Sequence, residues 1–198
     1  MSDNSSSLEQ RLHMLEPQVM PVEDFEADGW ILDIGGGGEG VIGQLKGSQV
    51  IAIDHLKGEL VEAPDGPVKL VMDARALALS SATYETATAF FSFLYLRTEA
   101  DVEAVLSELY RVLRPGGRLR IWDMDMPDRP ADKMKDLIGI ELRIQLPQRE
   151  ISTTYGSRWY TPPRSLVTIV ALAESLGFEV GEQYRAASTY KLTLRKPA

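Results

Sequence analysis

The residues best suited to chemistry are Asp33-Ile34-Gly35-Gly36-Gly37-Gly38-Glu39-Gly40. A short apolar run, Trp30-Ile31-Leu32-Asp33-Ile34, leads into them. Val41, Ile42 and Leu45 behind them suit a helix. The cluster therefore reads as a strand-to-helix turn. Consecutive glycines permit backbone angles that other residues resist, and they clear side chains away so that a ligand can reach the main chain. The helix that follows aims its first amides at the same place.

Two ligand classes use such a turn. Gly35-x-Gly37-x-x-Gly40 matches the dinucleotide fingerprint, with Asp54 at about the spacing of a ribose-binding acid. On that reading the chain is a nicotinamide-dependent oxidoreductase. Asp33 argues for a different ligand. An acid at the end of the strand repels a pyrophosphate but suits a molecule carrying an ammonium and a sulfonium, and S-adenosylmethionine has both and no phosphate. A turn that binds nothing is the third reading, but so many adjacent glycines weaken a fold and call for a reason.

These residues need a scaffold, and the rest of the chain supplies one. Gln49–Ile53, Lys69–Met72 and Thr86–Phe93 are short apolar runs, and Arg118–Trp122 is another. Helical segments between them signal a parallel sheet covered on both faces. Val102, Val105, Leu106, Leu109, Val112 and Leu113 form one helical stripe, with Thr98 and Asp101 spaced as a capping box. Pro115-Gly116-Gly117 turns the chain from that helix into the next strand. A helix starting at Thr161-Pro162-Pro163 and ending at Gly177 precedes Phe178–Tyr184 and Tyr190–Arg195, which should pair antiparallel. The fold class is thus α/β: a Rossmann-like, seven-stranded, mostly parallel sheet with an antiparallel C-terminal strand pair and helices on both faces. Leu8, Leu12 and Leu15 predict an amphipathic helix within an N-terminal segment, 1–29. Residues 30–198 form the ligand-binding domain. Within it, 131–142 is read as a helix and 151–160 as a hairpin, and 123–161 is a candidate substrate cap insert.

In order along the chain, Ile31-Leu32-Asp33-Ile34-Gly35-Gly36-Gly37, Ile51-Ala52-Ile53-Asp54, Met72-Asp73-Ala74-Arg75-Ala76-Leu77, Phe90-Phe91-Ser92-Phe93-Leu94 and Leu113-Arg114-Pro115-Gly116-Gly117-Arg118-Leu119 resemble the class I S-adenosylmethionine-dependent methyltransferases. The resemblance spans roughly residues 30–125 and departs at Glu39, where the family has its third glycine. It implies that Gly35, Gly36 and Gly37 approach the methionine part of the cofactor and that Asp33 lies near its amino group. Asp54 would accept from both ribose hydroxyls, with His55 beside it. Asp73 and Ala74 would meet the adenine, and Phe91 and Ser92 would line the sulfonium region. Other readings remain: Asp54 and Asp73 as turn formers, His55 as a surface residue, and Phe90, Phe91 and Phe93 as core.

The acceptor side carries no such signature, because in-line methyl transfer demands positioning more than any fixed catalytic group. Tyr95, Asp123, Tyr155 and Tyr160 are the candidates there, beside Arg158 and Trp159. Asp123, Asp125 and Asp128 do not match a calcium loop and read as a solvated acidic stretch, so no metal is expected. The chain has 198 residues, no cysteine, two histidines and a net charge of −8. That charge repels nucleic acid and anionic membranes. Without a signal segment the expected location is cytoplasmic and the expected partner a small-molecule acceptor. A non-catalytic S-adenosylmethionine-binding protein is the remaining alternative; the oligomeric state is left open.

Overall fold

The computed structural model describes residues 8–132, 134–160 and 164–198. Two sheets organise them. The larger takes strands β2 (Ile31–Ile34), β3 (Val50–Asp54), β4 (Val68–Val71), β5 (Tyr84–Phe90), β6 (Leu113–Met124), β9 (Glu179–Ala186) and β10 (Thr189–Arg195). The smaller takes β1 (Leu12–Pro21), β7 (Leu137–Leu146) and β8 (Arg149–Arg158). The larger sheet has the order β4-β3-β2-β5-β6-β10-β9. Strands β2 to β6 run parallel, and β10 is antiparallel to both β6 and β9. The seven strands and the antiparallel ending are as the sequence predicts.

Helix α3 (Glu99–Val112) starts where Thr98 and Asp101 form the expected reciprocal cap. With α4 (Leu166–Ser175) it covers one face of the sheet. Leu32, Ile34 and Ile53 point to this face, as do Leu119, Ile121 and Leu192, against Val105, Leu109 and Ile169. Gly177 adopts φ 96° just past α4, as its expected stop. The other face points Ile31, Val50, Ala52, Phe90 and Trp122 outward. Two short helices, α1 (Val41–Lys46) and α2 (Lys57–Glu62), lie on this side. The rest of its cover is the smaller sheet, packed through Met20, Ile138, Ile140, Leu142, Ile144 and Tyr155. The expected two-sided helical cover is therefore half replaced by strands.

Three sequence readings are corrected here. Among the described residues of the N-terminal segment, 8–11 are helical, and from Leu12 the chain is strand β1, parallel to β7, instead of the amphipathic helix. The backbone of β7 offers β1 a hydrogen-bonding edge, and that tertiary pairing overrides a short leucine spacing. The segment 131–142 forms no helix among its described residues, and β7 begins at Leu137. Its side chains alternate: Ile138, Ile140, Leu142 and Ile144 are buried, whereas Glu141, Arg143 and Gln145 are exposed. The hairpin expected within 151–160 is formed by β7 and β8 together, turning at residues 147–148. The first residues of the N-terminal segment, 1–7, and the helix start at 161–163 lie outside the described residues.

Candidate active site

The glycine turn sits at the C-terminal end of β2, between β3 on one side and β5 on the other. This is the point where strand order reverses, at which open α/β sheets hold their ligands. A cleft of about 980 Å³ opens there, lined by the glycine turn, the ends of β3 and β5, Asp73-Ala74-Arg75 and residues 154–158 of β8.

The turn is locked from inside. The amides of Gly35 and Gly36 both donate to the Ile53 carbonyl, at 2.8 and 3.0 Å, and that of Gly38 to the Glu59 carbonyl at 2.9 Å. Gly35 has φ +68°, and a Cβ there would stand 2.5 Å from the Ser92 Cβ. At Gly37 a Cβ would stand 2.5 Å from the Glu59 Cβ. The glycines thus let β2, β3, β5 and α2 converge on one spot.

Acids ring this turn. Asp33 is buried and accepts from the Thr88 hydroxyl at 2.7 Å. Burial pushes its carboxyl up to about 7, against the hydrogen bond from Thr88. Asp54 takes the Leu56 amide on Oδ1 at 2.8 Å, and its Oδ2 faces Gly37. His55 is largely exposed beside it, Nδ1 3.5 Å from Asp54 Oδ1. Asp73 is held by Arg75, whose Nη2 lies at 2.8 Å, and the guanidinium keeps that carboxyl down at about 2. Arg75 also reaches Asp101 at 2.7 Å. Ala74 lies next to this cluster on the cleft wall.

Phe91 follows β5 at φ 49°, a backbone region that non-glycine residues avoid and that is tolerated where the surroundings enforce it. Its amide donates to the Trp122 carbonyl at 2.8 Å. The Ser92 hydroxyl on the same wall is buried without a protein partner among the described residues.

Of the acceptor-side candidates, the structure brings Tyr95 and Tyr155 into the cleft, with Arg158. Tyr155 is buried, stacks on Phe91 with ring centroids 4.7 Å apart, and donates to Glu39 at 3.0 Å. Burial first, then the Glu39 charge, raises its phenol far above the usual range, so it stays a donor. Tyr95 faces Gly156 across the cleft, and burial lifts its phenol to about 12.

Asp123 and Tyr160 are not on the cleft wall. Asp123 is buried and accepts from the Leu94 and Met124 amides at 3.1 and 2.8 Å, so it fixes the turn that carries Tyr95. Tyr160 lies under the Arg164 guanidinium, 4.7 Å from its ring centroid. Asp125 caps α4 through the Leu166 amide at 2.6 Å and pairs with Arg185.

The sequence reading left Glu39 without a role and did not single out Thr153. Both of Glu39's carboxylate oxygens are taken by β8, one by the Thr153 hydroxyl and one by Tyr155. The departure from the glycine pattern at Glu39 was the available signal. It joins the turn to the smaller sheet.

The cleft can be tested against the two ligand classes. A pyrophosphate needs free loop amides or cations. Here four loop amides, those of Gly35, Gly36, Gly38 and Gly40, are spent internally; among the described residues no lysine lines the cleft, and of its arginines Arg75 is engaged by Asp73 and Asp101, leaving Arg97 and Arg158. Asp33, Glu39, Asp54 and Glu59 surround the turn, which suits a cationic ligand with ribose hydroxyls.

Residues 32–121 match the family model described as a methyltransferase domain. The match runs from β2 into β6 and takes in the glycine turn and the ends of β3, β4 and β5. The chain is similar to a demethylmenaquinone methyltransferase of Thermus thermophilus, 32% identical over 119 residues, which are 56% of this chain and 51% of that protein. The chain thus spans about half the length of that curated relative. Among solved structures it resembles an S-adenosylmethionine-dependent methyltransferase of Methanosarcina mazei. That match has TM-score 0.62 and 16% identity and covers 87% of this chain and 94% of the other. It also resembles a (4+2)-cyclase, SpnF, with TM-score 0.58 and 16% identity, covering 86% of this chain and 77% of that one. Likeness at these identities concerns the fold.

Proposed function

We propose that this chain binds S-adenosylmethionine in the cleft at the end of β2 and donates its methyl group to a small-molecule acceptor. The observation that carries this reading is the pair of carboxylates, Asp33 and Asp54, flanking a glycine turn four of whose amides are spent on internal bonds. Asp33 would meet the ammonium group. A cation beside it offsets the cost of its buried charge and draws the carboxyl into its ionised form. Asp54, with Oδ2 open toward the turn, would accept the ribose hydroxyls. The Ser92 hydroxyl and Phe91 would border the sulfonium. Bound there, the sulfonium supplies an activated methyl group, and the chain's own task is to align the acceptor and exclude water.

The smaller sheet would serve as the cap on the acceptor side, with Tyr155 and Tyr95 facing in from β8 and from the turn after β5. Among the described residues no helix is long and apolar enough to cross a membrane. The chain's net charge of −8 favours a small acceptor over a nucleic acid.

Calorimetric titration with S-adenosylhomocysteine and, separately, NADH tests the cofactor reading. Binding of the first alone is expected, and binding of NADH alone overturns it. A second reading is a protein that binds S-adenosylmethionine without transferring its methyl. It is favoured by one observation: among the described residues, Glu39 and Asp73, acids on the cleft wall, are already engaged by Tyr155, Thr153 and Arg75. A methyl-donor turnover assay over a metabolite panel separates the two, since any methylated product excludes the second.

A further inference from the structure

A second cavity, of about 560 Å³, lies between the connector 23–26 and strands β6, β10 and β9, and it shares no lining residue with the cleft at the glycine turn. Strand alternation sets its floor. Leu119 and Ile121 of β6 and Leu192 and Leu194 of β10 turn to the helical face of the sheet, so Arg118, Arg120, Lys191 and Arg195 turn to the other. The register seats Arg118 opposite Arg195 and Arg120 opposite Thr193, and the next pair on that face is Trp122 with Lys191. Four cations thus hold neighbouring positions on two strands. Like charges set directly opposite one another weaken a sheet.

The fold does not neutralise this floor. Among the described residues Arg118, Arg120 and Lys191 make no hydrogen bond and no ion pair, and Arg195 reaches Glu179 only at 4.0 Å. Arg120 is half-buried, with its guanidinium over the Phe25 ring, 4.9 Å from the centroid. Burial first, then the Arg118 charge, pushes it down, against the pull of Glu182. Of the acids on the wall, Asp24 is paired with Lys46, and Glu23, Glu26 and Glu182 are exposed to solvent. A half-buried guanidinium that spends no N–H on the protein calls for an anion.

We propose that this cavity binds a small molecule through a diphosphate group held by Arg118, Arg120 and Lys191. Guanidinium forks and a lysine point charge both suit phosphate oxygens, and a row of cations suits more than one phosphate. The acids of the connector repel an extended nucleic-acid strand at the rim and leave room for a small anion beneath. The site stands apart from the function proposed above, whose cleft is ringed by acids.

Calorimetric titration of the whole chain at low salt with pyrophosphate, inorganic phosphate, citrate and a short oligothymidylate tests it. Pyrophosphate is expected to bind about tenfold or more tightly than phosphate, with an affinity that falls on adding salt, and to raise the melting temperature. Arg120→Gln should weaken it by about tenfold or more. Arg118→Gln with Lys191→Gln, at less buried positions, should do the same if the first variant folds poorly. S-adenosylhomocysteine should not displace it. Absence of pyrophosphate binding, binding untouched by these variants, displacement by S-adenosylhomocysteine, or tighter binding of citrate or of the oligonucleotide overturns the proposal.

Discussion

The Tyr155 hydroxyl donates to Glu39 Oε2 across 3.0 Å, and this bond ties strand β8 to the glycine turn. Tyr155→Phe keeps the ring on Phe91 and removes only the bond. It should cost about 1–3 kcal/mol, as expected for a lost hydrogen bond to a charged, partly buried group. Tyr155→Ala also removes the stack and leaves a cavity, for about 3–5 kcal/mol by analogy with other large aromatic truncations. Chemical denaturation of the two variants checks this; equal losses would mean that the stack contributes nothing.

Gly35→Ala should both destabilise the fold and weaken S-adenosylhomocysteine binding. The added Cβ meets Ser92 at 2.5 Å, and φ is +68°. Overpacking of this kind costs about 1–3 kcal/mol, and the left-handed backbone adds to it. Gly58, with open space around its Cβ position, is the matched control. Thermal melts of Gly35→Ala and Gly58→Ala should differ by several degrees, in that order.

Asp33 and Asp123 are both pushed up to about 7 by burial, from an ordinary 3.8. The folded chain therefore holds these two protons more tightly than the unfolded one. Their contribution to stability is complete below about pH 4 and is lost as pH rises through about 7, on the order of a few kcal/mol per group. Ligand-free protein should melt lower at pH 7.5 than at pH 5.5, values set about the shifted range, and Asp33→Asn should flatten the slope. Affinity for S-adenosylhomocysteine should move the other way, rising with pH as Asp33 ionises beside the ammonium. An affinity that falls over this range would place the ammonium elsewhere.

Asp54→Ala should weaken S-adenosylhomocysteine by about 10- to 100-fold through loss of charge-assisted bonds to the ribose, with a smaller effect on melting. The Leu56 amide also loses its acceptor, so the ligand-free melting temperature of the variant is the reference. Unchanged affinity would remove Asp54 from the site.

The glycine turn and the strand ends around it were legible in the sequence because their requirements are local. A glycine turn after a strand, acids at strand ends and a capping box each leave residue types at fixed spacing, and Asp33, Asp54 and Thr98 sit where that spacing puts them. The smaller sheet was not legible in the same way. Leu8, Leu12 and Leu15 fit a helical stripe, yet β1 is a strand because its partner lies on β7, far along the chain. Strand β7 did carry a local signal, the alternation from Ile138 to Leu146, which was read with the wrong period. Asp123 could not be assigned from sequence at all. Only its burial against the Leu94 amide separates a supporting residue from one facing the ligand.

The parallel pairing of β1 with β7, clasped by Arg11 and Asp136 across 125 residues, has a kinetic consequence. A nascent chain leaving the ribosome carries β1 unpaired while all of the parallel strands β2 to β6 emerge. Pairing over such a separation is slow. Pulsed hydrogen-exchange labelling during refolding should therefore find the amides of Met14–Met20 protected after those of β2 and β5, with the glycine-turn cleft taking shape before the smaller sheet closes over it.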